Sequence, residues 1–235
     1  MSNARRSQLV GALNEAWKRG AEVSVVMVDL DTGVTLSVGP DRDNHGASTF
    51  KAAYVTYIFQ NVLERGGSVD SSARSLMWQT ISYSSNEAYE SLRSRYGTGG
   101  FRSWLDDVGL GYLAGQSFPR LTARNLARVW AKISSYENSG ARHVGEWRNL
   151  FDHSVNSFIR ERLAGSNKVY SKPGWYPKVG NLAALNDGGI VKGRDGRSYL
   201  LSVISNTSCY TDQWIMRNIV GALDAVHHEM PRRSA

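Results

Sequence analysis

Ser48 and Lys51, in the tetrapeptide Ser48-Thr49-Phe50-Lys51, are the pair of side chains in this sequence best suited to covalent chemistry. Lys51 carries the only formal charge between His45 and Leu63. Around it Phe50, Ala53, Tyr54, Tyr57, Ile58 and Val62 recur at three- and four-residue spacing, while Ala52, Val55, Phe59 and Leu63 occupy the other faces. That pattern predicts a helix buried on nearly all sides. Three helical steps of about 100° each bring Lys51 within about 60° of Ser48 and one turn along, so hydroxyl and amine share a face. A buried ammonium must be paired, or have its pKa lowered until it can act as a base. A serine beside such an amine can become a nucleophile. The structural alternative is that Ser48 caps the helix while Lys51 snorkels to water from its first turn.

An acyl-transfer site also needs a second proton shuttle and a cation on a strand edge. Ser84-Ser85-Asn86 falls in a break between two helical segments, and Lys172-Pro173-Gly174 ends the first strand expected after the helices. Each has a purely structural reading. Ser84 with Glu87 forms an S-x-x-E capping box, and Pro-Gly is a turn signal. Their order, after a hairpin, between helices and on the returning strand, favours reading the three motifs together.

The elements that must hold these residues follow from periodicity. Ser7 to Arg19 reads as an amphipathic helix ending at Gly20; Glu22 to Leu30 and Val34 to Val38 read as a hairpin turned at Asp31-Thr32-Gly33. The buried helix begins near Ser48. Helical patterns follow over Ala73 to Ser82, Glu87 to Arg95, Gly100 to Val108, Thr122 to Ser134 and Gly145 to Leu163. Strands return at Lys168 to Ser171, Leu182 to Lys192 and Ser198 to Ile204, the last two joined by Arg194-Asp195-Gly196, and Thr211 to His228 closes the chain as a helix. This segregation predicts an α+β fold: a five-stranded antiparallel sheet covered by the terminal helices, with an all-helical insert lobe. The expected organisation is one domain over 1–235, with an α/β lobe at about 5–45 and 166–235 and a helical lobe at about 46–165. The lobe junction is the natural place for a cleft.

Composition narrows the classes. The 235 residues are 41% hydrophobic, and 28 Lys+Arg against 21 Asp+Glu give a net charge of +7. That charge suits an anionic surface such as a cell-wall polymer. Basic residues are scattered singly or in pairs with no nucleic-acid signature, so a nucleic-acid partner is not expected. Cys209 is the only cysteine, which excludes an intrachain disulfide, and it is expected to be packed rather than reactive. No apolar run approaches membrane-spanning length; the best candidate is Ala52 to Leu63. Met1-Ser2-Asn3-Ala4 reads as an expression remnant, in which case a natural leader has been trimmed. His45, His143, His153, His227 and His228 lack the spacing of a zinc site, so neither metal nor other cofactor is expected. There is no G-x-S-x-G elbow and no phosphate-cradling glycine loop.

Together the three motifs resemble those of the serine β-lactamase and penicillin-binding protein superfamily, especially class A β-lactamase-like serine hydrolases. Ser48-Thr49-Phe50-Lys51 matches S-x-x-K, Ser84-Ser85-Asn86 matches S-x-N, and Lys172-Pro173-Gly174 stands where the family has K-T/S-G. The resemblance implies that Ser48 forms an acyl-enzyme with Lys51 as general base, and that Ser84 relays a proton to the leaving group. Asn86 would orient Lys51 and the substrate amide, and Lys172 would attract the substrate carboxylate. The backbone N–H groups of Ser48 and Trp175, beside Gly174, would form the oxyanion hole. The implied substrates are β-lactams or a peptidoglycan-type peptide, and the implied location is exported. Two departures matter. The family's deacylating glutamate has no counterpart in Leu110 to Pro119, which implies slow turnover, and Pro173 removes the hydroxyl that helps bind a carboxylate. The alternatives are a non-catalytic wall-binding module, or a Ser-Lys amidase or esterase with another substrate. Oligomeric state is not legible.

Overall fold

The computed structural model describes residues 1–180, 182–207 and 211–232, so Cys209 lies outside the described residues. Helix α1 (Asn3–Lys18) starts earlier than periodicity suggests, because the Ser2 hydroxyl accepts from the Arg5 N–H and its own groups bond Glu229 near the other end of the chain. Residues 3 and 4 are thus part of the folded helix, with Ser2 as its cap. Strands β1 (Val23–Asp29) and β2 (Thr35–Val38) form the hairpin. Its turn closes through Gly33, whose φ of 76° is cheap only for glycine.

A short strand, β3 (Asp43–His45), leads into a 3₁₀ turn (Ala47–Phe50) and then α2 (Lys51–Ile58), every residue of which is buried. A π-type turn, Phe59–Leu63, ends it. The expected buried helix is therefore one stack of three hydrogen-bonding patterns, and Ser48 sits in its tight first turn. Helices α3 (Ser71–Ser82), α4 (Asn86–Tyr96) and α5 (Gly99–Asp106) follow. Strand β4 (Arg120–Thr122) pairs with β3 in a small second sheet. Three-residue polar strands carry no usable periodicity, which is why the sequence did not reveal this pair.

Helix α6 (Ala123–Glu137) is next, and the single helix expected over Gly145 to Leu163 is two, α7 (Val144–Phe151) and α8 (Phe158–Leu163). Between them Asn156 has a φ of 58°, and the Ser157 side chain caps α8 by accepting from the Arg160 N–H. Ser157 thereby starts a new helix instead of continuing α7. Strands β5 (Asn167–Val179), β6 (Leu182–Gly193) and β7 (Ser198–Ser205) complete the main sheet, and α9 (Gln213–His227) follows. The first of these strands is far longer than Lys168 to Ser171, running through Pro173 and Gly174 rather than turning at them.

The sheet order is β2-β1-β7-β6-β5, antiparallel throughout, which leaves β5 at an edge. Alternation along each strand divides the core. Val25, Met27, Leu201 and Val203 pack with Leu9, Leu13, Ile215, Ile219 and Leu223 of the terminal helices, whereas Val26, Leu200 and Ile204 pack with Phe50, Leu126 and Trp130 on the other face. A sheet covered on both faces explains why its strands read as near-continuous apolar runs. The fold is α+β: α2 to α7 lie on the face that carries the Ser48 turn, while α8 packs with α9 on the other.

Candidate active site

The Ser48 turn is clamped from two sides. Asn186 of β6 donates to the His45 carbonyl (2.8 Å) and accepts from the Ser205 N–H (2.8 Å), and the Gly46 N–H donates to the Pro119 carbonyl (3.0 Å). Thr49 Oγ1 donates back to the Gly46 carbonyl at 2.7 Å. Between them Ala47 is held at a φ of 49°, a conformation that is costly for alanine. Only Ala47, Ser84 and Asn156 show positive φ among the described non-glycine residues, and two of the three lie at the motifs singled out above. Strain concentrated this way marks a place where geometry is maintained for use.

Lys51 is completely buried, and its Nζ donates to the Ser84 carbonyl (2.6 Å) and to Asn86 Oδ1 (2.7 Å). The snorkelling alternative is thereby removed. Its ring neighbours are Tyr89 (5.6 Å) and Phe118 (5.5 Å). Burial pulls its pKa down from 10.5 to about 8, with the charge of Glu90 opposing the shift. Two hydrogen-bond acceptors use two N–H groups. In the neutral amine the remaining tetrahedral position of Nζ is a lone pair. Ser48 is half-buried, and its hydroxyl has no hydrogen-bond partner among the described residues.

Ser84 ties the two lysines together. Its carbonyl takes Lys51, while its Oγ accepts from Lys172 Nζ (2.8 Å), which also donates to the Pro173 carbonyl (2.9 Å). Helix α4 is capped not by Ser84 but by Ser85, which accepts from the Ala88 N–H at 3.1 Å. Punctuation of the helix therefore leaves Ser84 free, and its φ of 61° turns its carbonyl and hydroxyl toward different lysines. Asn86 is exposed, and with Oδ1 spent on Lys51 its amide N–H groups have no partner among the described residues.

Lys172 is also fully buried, and burial, with the nearby charge of Lys51, holds its pKa well below the usual value. Beside it lies a residue the sequence reading missed. Asp187, opposite Pro173 on β6, is buried, accepts from Ser157 Oγ (2.6 Å) and the Ile159 N–H (3.1 Å), and has its other oxygen unpartnered. Its pKa is pushed up to about 7 by burial, against the opposing hydrogen bonds and Lys172. No local motif surrounds it. Its side chain turns away from the Ser48 turn, to the face of the sheet that α8 covers.

Pro173 and Gly174 explain how β5 meets the turn. Strand pairing runs unbroken through Pro173, which has no N–H to give, so its backbone faces the open edge. Two residues on, the Trp175 N–H points to that same edge. A Cβ on Gly174 would lie 2.6 Å from the Thr49 nitrogen, 2.8 Å from the Ser48 nitrogen and 2.8 Å from the Gly46 carbonyl. All three are backbone atoms, so only glycine permits this approach. Gly174→Ala is expected to leave a folded protein, at a cost of about 1–3 kcal/mol for overpacking. Displacing β5 from the turn should slow any reaction at Ser48 by about 10²-fold. Thermal unfolding and acylation kinetics, measured on the same sample, check both parts.

Among the described residues no cluster of His, Cys, Asp or Glu could hold a metal ion, and no helix is long and apolar enough to cross a membrane. A family model described as the beta-lactamase enzyme family matches residues 63–223. That span contains Ser84, Asn86 and Lys172 but begins after Ser48 and Lys51. A comparison with curated protein sequences finds no match. Similar solved structures include a β-lactamase from Chitinophaga pinensis, with 16% identity, 95% of this chain and 100% of that one covered, and a TM-score of 0.78. A class A β-lactamase representative from Bacteroides cellulosilyticus has 15% identity, coverage of 98% and 100%, and a TM-score of 0.77. A mutant of PBP-A, solved as its acyl-enzyme complex with penicillin G, has 15% identity, coverage of 96% and 97%, and a TM-score of 0.74. At such identities the likeness is one of fold.

Proposed function

The chain belongs to the beta-lactamase enzyme family of serine hydrolases, and from that premise we propose that Ser48 forms an acyl-enzyme with a β-lactam or a cell-wall peptide amide and releases it slowly. The observation that carries this reading is the state of Lys51: buried, with two N–H groups spent on Ser84 and Asn86 and its pKa drawn toward neutrality. As a neutral amine it takes the Ser48 proton while Oγ bonds to the substrate carbonyl carbon. The carbonyl electrons move onto oxygen, which the N–H groups of Ser48 and Trp175 receive; each such donor is typically worth about 3–4 kcal/mol in the transition state. When the tetrahedral species collapses, the bond to nitrogen breaks, and the proton taken by Lys51 is returned to that nitrogen through the Ser84 hydroxyl. Lys172, donating to Ser84 Oγ, keeps that hydroxyl oriented to give its own proton. The exposed Asn86 amide, with its N–H groups unspent, would hold the substrate's side chain. A wall-peptide substrate would put the protein outside the cytoplasmic membrane.

Slow release follows from what faces Lys51 on the short segment before β4. The group there is the Phe118 ring, which cannot activate water. Intact-mass spectrometry over time after mixing with a β-lactam tests this: a mass increase that persists is expected, and rapid return to the free mass contradicts it. Phe118→Glu is expected to shorten the lifetime of the adduct by about 10²-fold, the lower end of what a positioned general base supplies.

A further inference from the structure

Around Ser48 the cation that could receive a substrate carboxylate is buried and largely committed, and the residue after it brings no donor. Lys172 is completely buried and already donates to Ser84 Oγ and the Pro173 carbonyl. Pro173, beside it on the edge strand, has neither a hydroxyl nor an N–H. Across the ladder from Lys172 stands Gly188, with no side chain to add a donor, and its neighbour Asp187 turns to the opposite face of the sheet, where it bonds Ser157 and the Ile159 N–H. On the other wall His45 is packed edge-on against Tyr176 at 5.2 Å, and burial and Arg120 lower its pKa, so it brings no charge at neutral pH. Arg120 itself is bonded through Nε to Asp43 at 2.6 Å.

What the rim does offer is aromatic surface. Tyr83, one residue before Ser84, is 66% exposed, and Trp175, one residue after Gly174, is 37% exposed. Exposed rings next in sequence to Ser84 and to Gly174 offer binding surface for an apolar or aromatic group. A carboxylate drawn to Lys172 would have to shed its water at a buried ammonium with one N–H group left, beside a residue 173 that has no hydroxyl or N–H to share the charge.

From this arrangement we infer that the site takes a neutral acyl donor, an ester or an uncharged amide carrying an apolar or aromatic group, and not a substrate anchored by a carboxylate next to the scissile bond. The inference rests on the acyl-enzyme reading and narrows its substrate class. For an ester the balance is simple. Ser48 Oγ bonds to the carbonyl carbon, the bond to the alkoxy oxygen breaks, and the alcohol leaves with the proton that came from Ser48. Water then returns the acid and the free serine.

Three probes separate the outcomes: benzylpenicillin, its methyl ester and p-nitrophenyl phenylacetate, each followed by intact mass with the labelled residue mapped. The two penicillins share one lactam ring and differ in the carboxylate. Labelling of Ser48 by the methyl ester at least as fast as by the free acid is expected, together with labelling by the aryl ester. Free acid labelling tenfold or more faster than methyl ester would overturn the substrate class while leaving the acyl-enzyme intact. No labelling of Ser48 by any of the three removes the acyl-enzyme itself, and this inference with it. Trp175→Ala and Tyr83→Ala should each slow the aryl ester by about tenfold, the scale of one aromatic contact. Pro173→Thr should shift the ratio of the two penicillins toward the free acid; an unchanged ratio would also count against the inference.

Discussion

Ser48→Ala is expected to yield a folded protein that gains no mass from a β-lactam or any serine-reactive acylating probe under conditions where the parent protein is fully labelled. The expectation of intact folding has a structural basis. Ser48 is half-buried and its hydroxyl has no hydrogen-bond partner among the described residues, so removing the oxygen breaks no bond and opens no apolar cavity. Changes of this kind usually stay within about 0.5 kcal/mol of neutral. The turn itself is held by Thr49, Gly46 and Asn186, none of which the substitution touches. The effect on chemistry should be total, because the variant has no hydroxyl at position 48 to attack the carbonyl. Matching unfolding midpoints with complete loss of labelling is the expected pair of results. Equal labelling of the variant would move the nucleophile elsewhere and end the assignment.

The second large effect is expected at Lys51. Lys51→Met keeps an unbranched side chain of similar length in the same buried channel, but it removes the base and leaves the Ser84 carbonyl and Asn86 Oδ1 without their donor. Acylation should fall by about 10²–10⁴-fold, the range a positioned proton acceptor supplies. Stability should change less, because the lost hydrogen bonds are offset by relief from burying a cation. In the parent protein the sign of the pH dependence follows from the direction of the shift. Burial lowers the pKa of Lys51 to about 8, and the amine accepts the Ser48 proton only when uncharged. The acylation rate should therefore rise with pH through about 8 and level off above it. Loss of that rise in Lys51→Met, in whatever labelling remains, ties the titration to this amine. A flat profile in the parent protein would mean that Lys51 is not the base.

The fold was largely legible because its evidence is periodic. The near-continuous apolar runs of Val23 to Asp29 and Ser198 to Ser205, the all-round burial of α2 and the stripe of Ile215, Ile219 and Leu223 each state locally how much cover an element needs. Their order then selected an antiparallel sheet with helices inserted. The strand through Pro173 and Gly174 was truncated because both residues are turn formers by local preference. Only the open edge and the backbone of the Ser48 turn make them strand residues.

The sequence by itself determined the element order, the buried helix with one cation in it, and the three short motifs that carry hydroxyls and amines. Tertiary structure alone decided what those groups do to one another. It made Ser85 the cap and left Ser84 between two lysines, turned Lys51 toward Ser84 and Asn86, and set Phe118 against the amine. The physical reason is range: periodicity records which face of an element meets the core, whereas a reactive site is made by contacts between segments dozens of residues apart, whose register and approach no local pattern encodes.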